Sequence, residues 1–297
     1  MKKRWIINLV MLALVASIVT FLYLRPKANT GGEQEYAVST LKLADFDAIK
    51  VEFPTQAPLQ FQKKEGFWYM TAPYKTRADQ LSVQRILAVI AATSKDKFAG
   101  NDLEKFGLTN PQLRLKLNGK HGEETFVFGT YNPVTEDQYL AYKDAVYLVK
   151  GIYSEAASVQ SIELVDKMPL SPSEIKQVVG FNFAHLEQWE EVKLNVDIQD
   201  GKWTSNHPKA KLSQDELNEW LEFSWKQGPA KQVELYTPDH KTTYPSFDVK
   251  LSNGKTVHFD KIQEAPELLL GRADEGVLYH FTNDAGFTML NPPLNLP

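Results

Sequence analysis

Hydrophobic and polar residues alternate along two long stretches of the chain, and helical spacing interrupts each stretch once. Residues 47–53 (Asp-Ala-Ile-Lys-Val-Glu-Phe) alternate apolar and polar from Ile49 on, and Leu59-Gln-Phe61 continues the pattern. That period of two predicts half-buried strands. Lys63-Lys-Glu-Gly66 is a polar turn, Phe67-Trp-Tyr-Met70 returns as a strand, and Pro73 ends it, because proline donates nothing to a ladder. Asp79 then suits the N-cap of a helix over 80–92, with Val83, Ile86, Leu87 and Ile90 on one stripe. Residues 101–106 read as a short helical turn stopped by Gly107. Alternation resumes at 113–117, turns at Asn118-Gly119, and continues at 124–128, 138–142 and 145–149.

The same plan returns downstream. Residues 192–198 alternate, Asp200-Gly201 turns the chain, and Trp203 follows. Ser213 and Glu216 have the spacing of a capping box. Leu217, Trp220, Leu221 and Trp225 recur at helical spacing, and Gly228-Pro229 stops the helix. Strands are expected at 247–251, 256–259, 268–270 and 277–281. Gly66, Trp68 and Pro73 keep the mutual spacing of Gly201, Trp203 and Pro208. We read this as a duplicated unit. Between the copies, 154–164 is expected to be a helix and 167–172 a break. Residues 173–179 are read as the opening strand of the second copy, and 180–188 as extra chain.

The N-terminus has a different pattern. Met1-Lys-Lys-Arg4 is basic, and residues 5–24 carry no charge. About twenty such residues span a bilayer core at 1.5 Å each. Trp5 and Tyr23 lie at the two ends of this stretch, where amphipathic rings favour the interface. A cleaved signal peptide would have a shorter apolar core and small residues after it; Leu24-Arg-Pro-Lys27 follows instead. The basic flank places the N-terminus in the cytoplasm and the rest outside. The expected fold class is therefore α+β: an N-terminal transmembrane helix, then two similar hairpin–helix–antiparallel-sheet repeats. The expected organisation is an anchor at 1–24, a flexible tether at 25–40, a first repeat at 41–150, a connecting helix and break at 151–172, and a second repeat at 173–297. The lipid bilayer, met through residues 5–24, is the first expected partner.

Composition narrows the function classes. The net charge of −4 disfavours nucleic acid, which needs a basic face. The chain has no cysteine, which removes disulfides, thiol catalysis and cysteine metal sites.

The residues also carry a resemblance. Gly66-Phe-Trp68, Ala72-Pro73, Ala78-Asp79, Phe106-Gly-Leu-Thr-Asn-Pro111, Phe128-Gly129, Gln138-Tyr-Leu140 and Val146-Tyr-Leu-Val149 together resemble the bacterial family catalogued as domain of unknown function 4340. The resemblance spans most of the chain after the tether. It implies a single N-terminal anchor and an extracytoplasmic accessory role beside ABC-type transporter components. In the second copy Tyr236 and Pro245 echo Phe106 and Pro111, but no Gly-Leu lies between them.

Candidate chemistry is sparse. The histidines at 121, 185, 207, 240, 258 and 280 never form a His-Glu-x-x-His pattern. His258 and His280 are expected on neighbouring strands, as structural residues. Ser173-Glu-Ile-Lys176 and Ser252-Asn-Gly-Lys255 match Ser-x-x-Lys, a pattern short enough to arise by chance. Glu123-Glu124 and Glu190-Glu191 are adjacent, so on a strand they point to opposite faces. No catalytic residue, metal ligand or cofactor site is expected. Trp68 and Trp203 are expected to seal helix onto hairpin. Phe223 broadens the apolar arc of Trp220 and Trp225, so Trp220, Phe223 and Trp225 are expected to make a second contact, either packing against the other repeat or, as the candidate partner contact, meeting a partner. The expected function is a membrane-anchored extracytoplasmic accessory or binding module, non-enzymatic, working with an ABC-type transporter or other envelope assembly. The alternative is an envelope hydrolase or small-ligand-binding protein with a site between the repeats.

Overall fold

The computed structural model describes residues 35–297. The expected anchor at 5–24 lies outside the described residues, and no helix among those described is long and apolar enough to cross a membrane. The fold is α+β, with two large antiparallel sheets and few helices.

The first half contains β1 (Tyr36–Ala37), β2 (Phe46–Glu52), β3 (Leu59–Lys64), β4 (Phe67–Ala72), β5 (Thr76–Arg77), β6 (Thr93–Ser94), β7 (Lys97–Ala99), β8 (Leu113–Gly119), β9 (Gly122–Tyr131), β10 (Gln138–Tyr142) and β11 (Ala145–Val149). Nine of these strands form one sheet, ordered β5-β4-β3-β2-β8-β9-β10-β11-β7, while β1 pairs with β6. The second half contains β12 (Val178–His185), β13 (Asn195–Gln199), β14 (Lys202–Ser205), β15 (Gln232–Leu235), β16 (Ser246–Leu251), β17 (Thr256–Gln263), β18 (Glu267–Arg272) and β19 (Val277–Thr282). Its eight strands run β14-β13-β12-β16-β17-β18-β19-β15. Apart from β5, the two orders match position for position.

In each half, inward strand residues pack against a helix. Helix α1 (Gln80–Leu87) continues as a 3₁₀ turn over Ala88–Ala91. Val83, Ile86, Leu87, Val89 and Ile90 share one core with Ile49, Val51, Phe61, Leu115 and Phe126. Helices α2 (Ile152–Ala157) and α3 (Pro172–Ile175) follow. In the second half, α4 (Gln214–Trp220) passes into a π-helical segment at Leu221–Lys226. Leu217, Trp220 and Trp225 join Phe181, Phe247 and Phe259 in the second core. Residues five apart diverge by about 140° on an α-helix. The wider π turn, closed by Gln227 N–H donating to the Glu222 carbonyl at 3.0 Å, brings Trp220 and Trp225 to one side. Helix α5 (Asn283–Leu290) packs on this segment, and Trp220 Nε1 donates to the Thr288 carbonyl at 2.7 Å.

The same device fixes helix to hairpin in both halves. The Gln80 side chain accepts from the Trp68 N–H at 2.9 Å and donates to the Trp68 carbonyl at 3.0 Å. Gln214 does the same to Trp203, at 2.7 and 3.1 Å. Each glutamine thus supplies the donor and acceptor that a neighbouring strand would give. Both tryptophans are buried. The turns before them reverse through residues with positive φ, Glu65-Gly66 and Asp200-Gly201, a conformation that glycine adopts at no steric cost.

Several local expectations change. Residues 154–164 are not one helix: α2 ends at Ala157, and a 3₁₀ turn covers Ser161–Leu164. Residues 172–175 are helical, not a strand, because Ser171 and Glu174 form a reciprocal capping box with Pro172 at the first turn. At Ser213 only half a box forms: the Ser213 hydroxyl accepts from the Glu216 N–H, while the Glu216 carboxylate takes a bond from Asn295 at 2.6 Å. Residues 180–185 are not extra chain. They belong to β12, which holds the place in its sheet that β2 holds in the first.

Candidate functional site

The two halves meet at a strap, residues 160–172, hydrogen-bonded to both. Asp79 N–H donates to the Leu164 carbonyl at 2.7 Å, Asp166 N–H to the Arg77 carbonyl at 3.0 Å, and Ala230 N–H to the Lys167 carbonyl at 2.9 Å. Two arginines, one from each half, clamp the strap. Arg77 lies on β5, the edge strand that the second sheet lacks, and is 6% exposed. Its Nε donates to Glu275 Oε1 at 2.7 Å, and its Nη2 to Tyr279 Oη at 3.0 Å. It also bonds the Asp166 carboxylate and the Met168 carbonyl. Arg272 ends β18 and is 1% exposed. It donates to the Pro169 carbonyl at 2.9 Å, to both Glu174 oxygens, and to Asp274 Oδ2 at 2.7 Å.

Electrostatics follow from this packing. Burial alone would favour neutral arginines, but the surrounding carboxylates outweigh it and push both guanidinium pKa values further up. Burial also raises the Glu174 carboxyl, yet the bonds and charge of Arg272 and the Ser171 cap overcome it and hold the group at about 2. Asp166 moves the other way: burial raises it, and Arg77 offsets this only in part. Burial and the Glu275 charge raise the Tyr279 phenol, so it stays protonated and donates to Glu275 Oε2 at 2.9 Å. Every polar end in the network is matched, which is what makes buried charge tolerable. The network is chemically suited to holding two bodies at a fixed angle.

Beside it opens a cleft of about 390 Å³, lined by Lys64, Tyr69, Thr71, Lys75, Thr76 and Arg77 from the first half and Asp274 and Glu275 from the second. The Thr76 hydroxyl is buried there without a hydrogen-bond partner.

The structure separates the three candidate contact residues. Trp220 and Trp225 are buried in the second core, whereas Phe223 is 63% exposed. Trp68 and Trp203 are both buried packing residues. His258 and His280 do not lie on neighbouring strands: β18 runs between β17 and β19. His258 instead meets Asp248 at 2.8 Å and Asp260 at 3.3 Å. No group of three His, Asp or Glu among the described residues could hold a metal ion. Ser173 falls in α3 and Ser252 in a turn.

The network residues Arg77, Asp166, Glu174, Arg272 and Glu275 were not among the sequence candidates. One signal was present: Arg272 ends the apolar run Leu268-Leu-Leu-Gly, where a charge needs a partner. Arg77 and Glu275 stand 198 positions apart, and no local pattern joins them.

Comparison with curated proteins gives no match, and comparison with solved structures gives none either. Residues 68–227 match a family model described as Domain of unknown function (DUF4340). The match starts at the first sealing tryptophan and ends just after the π segment, so it crosses the strap. It covers more than half of the sequence, and the chain belongs to this family.

Proposed function

We propose that the chain is a membrane-anchored, extracytoplasmic binding module that acts with an ABC-type transporter or another envelope assembly. The observation that carries this reading is the uncharged stretch at 5–24, with only a short stretch of chain between it and the first strand at Tyr36. A folded body attached in this way works close to the bilayer. The strap and its two buried arginines support a rigid scaffold that presents surfaces, and the matching strand orders support two copies of one unit. Phe223, exposed on the π turn, is the contact we assign to a partner.

Affinity purification from gently solubilised membranes, read by mass spectrometry, tests this. The expected result is co-recovery of a permease or envelope component, reduced by Phe223→Ser. A chain that purifies alone, or one found in the soluble fraction, contradicts it.

The junction cleft favours a second reading, a small-ligand or hydrolytic site between the halves. Its support is the unpartnered Thr76 hydroxyl beside Arg77 and Glu275. A ligand that raises thermal stability for the intact protein but not for Thr76→Val would select this reading.

A further inference from the structure

A second cleft, of about 670 Å³, opens at one end of the first sheet. Its walls come from the β2–β3 loop, with Phe53 and Pro54, and from the loop ending at Pro111; Lys50, Glu52 and Arg114 line it from β2 and β8. The second wall is Thr109-Asn-Pro111, the end of the Phe106-Gly-Leu-Thr-Asn-Pro111 motif, whose Gly-Leu is missing from the second half.

The charges here are unevenly committed. Glu52 is held by Lys50 at 2.6 Å and by Lys116 at 3.2 Å. Its carboxylate is thus bracketed by two ammonium groups. Arg114 is half-buried and makes no ion pair or hydrogen bond among the described residues. Lys50 and Arg114 line the cleft against the single anion Glu52, and Lys116 reaches Glu52 from beside it, which leaves this patch positive in a chain of net charge −4. A guanidinium is a fixed fork matched to a carboxylate, and an unpaired one in a cleft is pre-positioned to receive an anion.

The opposite half makes the contrast. Strands β8 and β16 hold equivalent places, with Leu113, Leu115 and Leu117 inward on one and Phe247, Val249 and Leu251 inward on the other. Outward Arg114 therefore corresponds to Asp248, and Lys116 to Lys250. Asp248 is already engaged by His258. The scaffold is shared, and only the first half keeps an uncommitted charge there.

We propose that this cleft receives an extended, acidic segment of a partner protein, with a carboxylate side chain on Arg114 and neighbouring apolar side chains against Phe53 and the prolines. The proline walls have fixed φ and no N–H of their own, so they offer a preset apolar surface to an incoming segment. The proposal rests on the binding-module reading and names the chemistry of one partner contact.

The test uses the full-length chain in detergent on an array of random short peptides, with no membrane partner present. Retained peptides should be enriched in Asp or Glu next to apolar residues. Arg114→Glu should weaken retention roughly tenfold to a hundredfold, the scale of a charge-assisted hydrogen bond. Arg114→Gln should weaken it less, added salt should weaken it for the unaltered chain, and Asp248→Asn should leave it unchanged. No retained peptides, enrichment that ignores charge, or retention indifferent to both Arg114 variants would overturn the proposal. So would saturable binding of inorganic phosphate that displaces every peptide, which would assign the site to phosphate or a phosphate headgroup. If the array fails while a membrane partner still co-purifies, this inference falls and the anchored-module reading stands.

Discussion

The two halves share a strand order, a glutamine clamp and a sealing tryptophan, yet they differ on their outward faces and at one edge. Arg114 in the first half stands where Asp248 stands in the second. The first sheet has the extra strand β5, and β5 carries Arg77 into the junction. The likeness lies in the sheet and in what fixes helix to hairpin, and these two differences lie where the halves meet each other and meet solvent. Inward positions are constrained by close packing, while outward ones are free to take up recognition.

The largest effects are expected where this division is sharpest. Arg77→Ala removes the partner of Asp166, Glu275 and Tyr279 together. Breaking a buried ion pair from one side costs about 3–5 kcal/mol, so urea denaturation should show a loss of that size. Trp68→Ala and Trp203→Ala should each cost about 3–5 kcal/mol by cavity formation. A large inequality between the two losses would show that the tryptophans do not play equivalent packing roles in the two halves.

Glu174 titrates at about 2 in the fold, against an ordinary 4.5. Its stabilisation is complete above pH 4.5 and is lost as pH falls from there towards 2. Allowing for its partial exposure, the loss is about 2 kcal/mol. Asp166, raised by burial, works in the opposite sense: it disfavours the fold at neutral pH and relaxes as it gains a proton, so it offsets part of that loss. Denaturation midpoints across this window should fall for the intact chain and stay flatter for Glu174→Gln.

The clamp is a smaller test. Gln80→Ala and Gln214→Ala each strip two bonds from a tryptophan backbone, and each should cost about 1–2 kcal/mol. Similar values would support a common device, whereas a neutral result in one half would limit it to the other. Phe223→Ser should change stability by less than about 0.5 kcal/mol while reducing partner recovery.

What the sequence showed follows physical range. Strand β8 was legible because Leu113, Leu115 and Leu117 alternate with polar residues, and the Asp79 cap was legible because its bond to Ser82 N–H is local. β12 is displaced from the expected strand because residues 173–179 read as the opening strand and Gly180 as the start of extra chain. In the sheet Gly180 is a close approach: a Cβ there would lie 2.2 Å from Asp197 Oδ1. The π turn was missed because Trp220 and Trp225 fit helical spacing loosely, and only packing shows which turn is widened. At the site, Phe223 could be singled out from its place off the stripe, but the burial of Trp220 and Trp225 could not. The arginine network was illegible because its bonds join residues from opposite ends of the fold.

Photocrosslinking in living cells, from residue 223 on the π turn and from Gln56, which lines the first-half cleft, asks whether the anchored domain docks on a membrane partner through these surfaces. Position 253, in the second-half turn, serves as control. Capture of a membrane-embedded transporter or envelope component is expected from 223 or 56 and not from 253. Equal capture from all three positions, or none from a chain that fractionates away from membranes, would contradict it.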